Sequence, residues 1–216
     1  MIFSKKNKNK FPQYETAVVA CDHCHKEHTL PFYQFKWCLD GTPKIPITQR
    51  LQSFHICDCG MLVTGETLPT HVLKLPEYQQ ALQHTDINLR KLGALYCITH
   101  DESIWLWYAH YFDEQNNHET AQHYLAKAID AINNNTDRKT IQIFPGDFDG
   151  VKLEDVFDLQ PQDRLVDLYR QTKQWELASQ LIDSLRTQSY LIPPHERFAF
   201  LKREEKLICA HDSSMQ

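Results

Sequence analysis

The sequence predicts an α+β protein, with a small β module near the N-terminus followed by a helical domain. Two close pairs of cysteines lie at 21–24 and 57–59, and short segments of alternating apolar residues lie between them. The chain has only six glycines in 216 residues, and its C-terminal stretches are rich in Leu, Ala and Gln. This composition favours helices over a large all-β protein for the remainder of the chain.

The two cysteine pairs have the layout of a metal site. Cys21 and Cys24 form the first pair, Cys57 and Cys59 form the second, and the segment 25–56 separates them. Structural zinc takes four thiolate or imidazole ligands in a tetrahedron, and two turns of the chain can each supply two of them. We therefore predict Zn²⁺ bound by these four cysteines, adding folding free energy to a module too short to bury a large core. Gly60 suits the second turn, where the backbone often needs a positive φ.

The second pair leaves alternatives open, because Cys-x-Cys has a tighter bite than Cys-x-x-Cys. One alternative is a site in which a histidine replaces one thiolate. The candidates are His23, His25 and His28 beside the first pair and His55 beside the second. Another is a metal-free module with reduced cysteines buried as small apolar side chains. Cys38 is a candidate fifth thiol near the site.

Strands are expected on both sides of each cysteine pair. Residues 15–20 form a strand that leads into the first pair, and 28–39 form a broken strand with alternating apolar residues. Glycine and prolines at 41–46 indicate a loop. Residues 51–56 lead into the second pair, and 61–64 leave it as a strand.

Residues 17–65 resemble the bacterial CpXC-type zinc-ribbon domains, a family without an assigned function. The sequence departs from that family at Asp22, where the family often has proline, and in its shortened second pair. The resemblance implies a zinc-ribbon β module over 17–68. The residues that match the family are Cys21, Cys24, Cys57, Cys59 and Gly60.

A helical domain over 77–209 follows a predicted linker at 66–76, which contains two prolines. Apolar residues at helical spacing predict one helix over 78–95. Residues 101–103 supply a helix cap, and further helices are expected over 104–114, 118–132 and 194–209. Residues 210–216 are expected to be loose.

The central helices resemble a tetratricopeptide repeat, in which alanines lie at close helix crossings and large residues fill the gaps. Ala121 and Ala178 are at equivalent positions, so the period is longer than the usual ~34 residues of that repeat. We attribute the excess to an insertion near 133–155. The matching first-hairpin residues are Trp105, Tyr108, Ala109, Phe112, Ala121, Leu125 and Ala128, and those of the second hairpin are Leu165, Val166, Tyr169, Trp175, Ala178, Ile182 and Leu185.

The charge distribution bears on possible partners. The net charge is −5, but four lysines between residues 5 and 10 carry +4, so the remainder carries −9. We interpret 1–16 as a basic tail on an acidic body, and nucleic-acid binding is therefore disfavoured. The sequence predicts neither a signal peptide nor a membrane span, and we expect a reducing, cytoplasmic setting.

No catalytic constellation is predicted. His118 and His123 are five positions apart, about 140° around a helix, and so do not face one metal. Cys97 and Cys209 are expected to pack rather than react, and Trp107 and Tyr111 are the best candidates for a surface contact.

We therefore expect a non-enzymatic zinc-binding protein that interacts with a protein partner. The alternatives are a nucleic-acid-binding zinc ribbon, which a salt-dependent gel shift would reveal, and a metalloenzyme with an open zinc position.

Overall fold

The computed structural model describes residues 14–33, 46–100, 104–134, 161–187 and 195–214. The chain divides into two compact units, Met1–Lys91 and Leu92–Gln216, which we call the cysteine unit and the helical unit. Within the described residues, small antiparallel sheets in the first unit are followed by helices, so the α+β prediction is confirmed. The predicted start of the helical domain at residue 77 lies inside the cysteine unit.

An antiparallel hairpin opens the cysteine unit. Strands β1 (Tyr14–Ala20) and β2 (Glu27–Tyr33) pair so that Ala17 lies opposite Leu30 and the last pair is Ala20 with Glu27. Alternate residues of a strand point to opposite faces. Accordingly Leu30 is buried, while Val18 on the other face is 65% exposed.

The second half of the unit begins with a one-turn helix, α1 (Ile47–Arg50), and a 3₁₀ turn (Leu51–Ser53). Two short strands follow, β3 (His55–Ile56) and β4 (Leu62–Val63), and they pair antiparallel around the second cysteine pair. The apolar core of the unit includes Leu51, Met61, Leu62 and Val63.

The predicted linker at 66–76 instead contains a 3₁₀ helix (Thr70–Lys74) whose Val72 is buried. The single helix expected over 78–95 is wrong, because the chain forms two helices there, α2 (Pro76–Leu82) and α3 (Ile87–Thr99). Asp86 lies at the start of the second of these helices. Its Oδ1 accepts hydrogen bonds from the backbone N–H groups of Asn88 and Leu89, at 2.7 and 3.3 Å, and so caps α3.

In the described part of the helical unit, two helical hairpins are followed by a last helix. The first hairpin matches the predicted helices closely, and the last helix begins one residue later than expected. The bounds are α4 (Ile104–Glu114), α5 (His118–Asn134), α6 (Pro161–Gln171), α7 (Trp175–Thr187) and α8 (His195–Cys209).

The two hairpins turn in the same way. A residue with positive φ follows each first helix, Asn116 at 58° and Lys173 at 61°. The backbone hydrogen bonds are also equivalent. The N–H of Asn117 donates to the carbonyl of Phe112, and the N–H of Gln174 donates to that of Tyr169, both at 2.8 Å.

Among the described residues, the apolar core of the helical unit has two neighbouring parts. Half-buried Tyr169 and Leu181 pack against both of them. The predicted alanines Ala121, Ala128 and Ala178 are all buried. The first part consists of Ala109, Leu125, Ala128, Ile129, Leu165 and Leu168, and the second of Val166, Ala178, Ile182, Leu185, Leu201 and Ile208.

A fully buried arginine joins α6 to α8 and to the residues after it. The Nε of Arg170 donates to Oε2 of Glu204 at 2.7 Å, and Glu204 is itself fully buried. The Nη1 of Arg170 donates to the carbonyls of Asp212 and Ser214, at 2.7 and 3.0 Å. The expectation that 210–216 are loose is therefore wrong for the residues bound by Arg170.

Two further expectations for the helical unit are corrected. Tyr111 is buried, so it is not a surface contact, whereas Trp107 is half-buried. Cys97 is buried as expected, but Cys209 is exposed. The predicted tail over 1–16 is wrong for residues 14–16, which belong to β1. Expectations for the tail at 1–13, the strand at 34–39 with Cys38, the loop at 41–45, the cap at 101–103 and the insertion from residue 135 onward lie outside the described residues. Among the described residues, no helix is long and apolar enough to cross a membrane.

Candidate metal centre

The first cysteine pair lies on a tight turn, the first knuckle, that connects β1 to β2. The N–H of Cys21 donates to the carbonyl of Lys26 at 2.9 Å, and the N–H of His25 donates to the carbonyl of Cys21 at 2.8 Å. His25 has a φ of 58°, in the left-handed region that tight turns use. This turn brings the side chains of Cys21 and Cys24 toward one side.

The second pair lies on an equivalent turn, the second knuckle, between β3 and β4. The N–H of Gly60 donates to the carbonyl of Cys57 at 2.7 Å, and the N–H of Cys57 donates to that of Met61 at 2.9 Å. Gly60 has a φ of +89°, as its position after the pair predicted. A Cβ there would also lie 3.3 Å from Cδ1 of Leu82. Both the positive φ and this close contact therefore disfavour a side chain at position 60.

The two knuckles bring four sulfur atoms together, all within 4.8 Å of one another. Cys21 Sγ lies 3.6 Å from Cys59 Sγ, and Cys24 Sγ lies 3.5 Å from Cys57 Sγ. These distances are too long for disulfides, whose S–S bond is about 2.05 Å. With Zn–S bonds of about 2.3 Å, a tetrahedron has S–S edges of about 3.8 Å. The four thiols therefore fit a zinc ion with small adjustments.

Backbone N–H groups are directed at several of the sulfur atoms. The N–H of Lys26 donates to the sulfur of Cys24 and, as the largest effect, lowers the pKa of Cys24 from 9.0 to about 7. Burial raises the pKa of Cys57, and it raises that of Cys59 to about 12. Cys24 therefore loses its proton most readily of these three thiols, while a bound dication would displace the protons of the others.

The histidines lie outside the group of four sulfur atoms. His28 borders the group, with its Nε2 3.3 Å from Cys57 Sγ, where an N–H can stabilise a thiolate. The rings of His28 and His55 are 4.4 Å apart, and burial lowers the pKa of His55. His23 and His25 are exposed. In the part of the chain that the structure describes, the metal-compatible group consists of cysteines alone.

Charged residues join the two knuckles at their surface. Lys26 on the first knuckle forms an ion pair with Asp58 on the second, and this hydrogen bond is the main cause that lowers the pKa of Asp58. Asp22, between the two cysteines of the first knuckle, accepts a hydrogen bond from the N–H of Leu68 at 2.9 Å. Both contacts position the knuckles, although exposed ion pairs contribute little free energy.

Tyr78 is a supporting residue that the sequence analysis assigned to the helical domain. Its side chain is fully buried, and its hydroxyl donates to the carbonyl of Gly60 at 3.0 Å. The same hydroxyl accepts from the N–H of Leu62 at 2.8 Å. Helix α2 is thus attached directly to the second knuckle. The sequence carries no signal for this contact, because neither the burial of Tyr78 nor the partner of its hydroxyl can be read from neighbouring residues.

Searches against protein-family models, curated proteins and solved structures found no match for this chain. The resemblances to CpXC-type zinc ribbons and to tetratricopeptide repeats therefore stay predictions. The four clustered cysteines can hold a metal ion such as zinc. That all four bind it stays a prediction as well.

Proposed function

We propose that this chain is a non-enzymatic zinc-binding protein, in which a structural zinc ion holds the cysteine unit and the helical unit binds a protein partner. One observation carries the proposal. Four sulfur atoms from two knuckles, which the segment 25–56 separates in the sequence, lie within 4.8 Å of one another. Thiolates are ligands that zinc prefers, and four of them complete its tetrahedron.

In this role Cys21, Cys24, Cys57 and Cys59 hold Zn²⁺, and the ion supplies a cross-link between the knuckles. A site closed by four thiolates leaves no position for a substrate, which favours a structural role over an enzymatic one. Each knuckle lies between two short antiparallel strands that form one hairpin, and this arrangement supports the zinc-ribbon resemblance.

The proposed protein-binding role rests on the helical hairpins. Two hairpins with the same turn geometry support a repeat-like architecture of the tetratricopeptide kind. Buried Ala121 and Ala178 occupy equivalent places on the second helix of each hairpin. Stacked helical hairpins commonly present an extended surface to protein ligands.

Metal analysis of the purified full-length chain tests the zinc proposal. We expect one zinc per chain by elemental analysis, with X-ray absorption indicating four sulfur ligands at about 2.3 Å. Cys24→Ser should bind zinc much more weakly, while Cys209→Ser, which changes an exposed thiol outside the cluster, should retain one equivalent. Coordination by nitrogen or water would favour a histidine-containing or open site instead.

A pull-down from native lysate tests the partner proposal, with the zinc-loaded full chain as bait. We expect a stoichiometric protein partner that the Cys24→Ser bait also retains, because the helical unit has its own core. Nuclease treatment of the lysate should leave the interaction unchanged. Loss of binding after nuclease treatment would contradict a direct protein contact.

A further inference from the structure

The four thiols of the centre differ in their access to solvent. Cys21 and Cys57 are buried, Cys59 is partly exposed, and Cys24 is exposed. Oxidation of cysteine follows thiolate character and exposure. A small oxidant dissolved in water therefore reaches Cys24 more easily than it reaches the buried sulfur atoms.

Cys24 also has a thiol within reach on the opposite knuckle. Its Sγ lies 3.5 Å from Cys57 Sγ, although the two residues are 33 positions apart. A disulfide requires about 2.05 Å, so the two sulfur atoms need to approach by roughly 1.5 Å. Lys26 and Asp58, which lie near these two cysteines in the sequence, form an exposed ion pair between the knuckles.

We propose that Cys24 is a site of oxidation by hydroperoxides, with Cys57 as the resolving thiol. The oxidised centre then loses two of its four metal ligands and releases the metal. This inference rests on the proposed function, since it requires that the four cysteines hold zinc.

The chemistry proceeds in two steps. The Cys24 thiolate attacks the distal oxygen of the hydroperoxide, and the O–O bond breaks to give a sulfenic acid and, with a proton, water or an alcohol. The Cys57 thiolate then attacks Cys24 Sγ, forming the S–S bond and expelling hydroxide, which leaves as water after protonation. Two electrons pass from the two thiolates to the peroxide.

The zinc-loaded full chain, treated with hydrogen peroxide, provides the test. We expect release of one equivalent of zinc, followed with a chromogenic chelator, and a Cys24–Cys57 disulfide. Combined cleavage before aspartate and after lysine or arginine places each of the four cysteines on its own peptide, because Asp22 and Asp58 each separate one pair. The linked peptides should be 22–26 and 51–57.

Cys24→His is the informative variant, because a histidine can still bind zinc but cannot form the disulfide. We expect its zinc release to be at least about tenfold slower than that of the native chain, since the exposed thiolate is gone. Cys209→Ser is the control, and it should release zinc at the native rate. If the histidine variant does not bind zinc, the disulfide map of the peroxide-treated native chain tests the inference, because it shows whether Cys24 and Cys57 form the bond.

Two outcomes would overturn the inference alone: zinc retained at a peroxide dose that fully oxidises exposed Cys209, or a disulfide map dominated by another pair. A chain that contains no zinc before peroxide is added would overturn the proposed function, and this inference with it. The zinc content before and after treatment distinguishes the two failures.

Discussion

The cysteine unit and the helical unit differ in what holds them together. In the cysteine unit, the described sheets have two strands each, and β3 and β4 are only two residues long. Two-stranded sheets are marginally stable in water by themselves. In the helical unit, two neighbouring apolar clusters run through the hairpins and α8. We infer that the cysteine unit depends on its four sulfur atoms in addition to its own apolar core, whereas the helical unit depends on apolar packing.

Removal of the metal should produce the largest difference in stability between the two units. A chelator should unfold the cysteine unit, because structural zinc contributes on the order of 10 kcal/mol in small modules. Helices α4–α8 should persist, so the far-UV circular dichroism should lose only a minor part of its helical signal. Amide hydrogen exchange, read separately for residues 14–33 and 104–134, measures this difference.

Zinc added back should restore protection in 14–33, which serves as the control. Equal loss of protection in both regions would show that the chain unfolds as one cooperative structure, and the proposed difference between the units would be abandoned.

Disruption of the buried ion pair in the helical unit should give the next largest effect. Arg170→Met leaves Glu204 as a buried, partly compensated charge, and breaking such a pair costs about 3–5 kcal/mol. Urea denaturation followed by circular dichroism measures the loss. Zinc content should not change, because the substitution lies outside the cysteine unit.

Arg186→Met is the matched control, because Arg186 pairs with Glu205, the neighbour of Glu204 on α8. That pair is exposed, so its loss should cost at most about 1 kcal/mol. Similar effects of the two substitutions would contradict the importance assigned to burial.

Removal of the Tyr78 hydroxyl should weaken the cysteine unit moderately. Tyr78→Phe leaves the N–H of Leu62 and the carbonyl of Gly60 without this partner, a cost of about 1–3 kcal/mol. Zinc affinity, measured by competition with a chelator, should fall accordingly. The control is Tyr169→Phe, which removes a 3.4 Å contact with Asn133 in the helical unit and should leave zinc affinity unchanged.

The smallest expected effect concerns the backbone of the second knuckle. Gly60→Ala places a Cβ on a residue with a φ of +89°, at a cost of about 1–2 kcal/mol. Gly93→Ala, inside α3, should have the opposite sign, because alanine is favoured over glycine in helices by about 0.5–1 kcal/mol. The midpoints of thermal unfolding of the zinc-loaded variants measure both effects. A higher midpoint for Gly60→Ala would contradict the requirement for glycine at this positive φ.

Features that depend on local sequence patterns were predictable. The spacing of the cysteine pairs indicated both knuckles, and the glycine after the second pair indicated its turn, where the structure confirms the positive φ of Gly60. Helices α4 and α5 followed from apolar spacing and small residues at the crossing. These signals are contained in a few consecutive residues, so no knowledge of distant contacts was needed.

Features that depend on distant partners were not predictable. Tyr78 has helical spacing with the apolar residues after it, but its hydroxyl bonds to a turn 18 residues earlier. Arg170 lies on a polar stretch that predicts exposure, yet Glu204 and the carbonyls after α8 surround it. Tyr111 was wrongly predicted to be exposed, because the repeat pattern assumes that a helix buries a single face. Helix α4 buries residues on more than one face.

The separation of the two knuckles along the chain has a consequence for the integrity of the backbone. A protease cut between residues 26 and 55 would leave two polypeptides, each of which keeps one pair of cysteines. If the ion joins them, the fragments should migrate together in native electrophoresis and come apart only when a chelator is added. Covalent continuity of this segment would then be dispensable, and the module could be reassembled from two separately produced pieces.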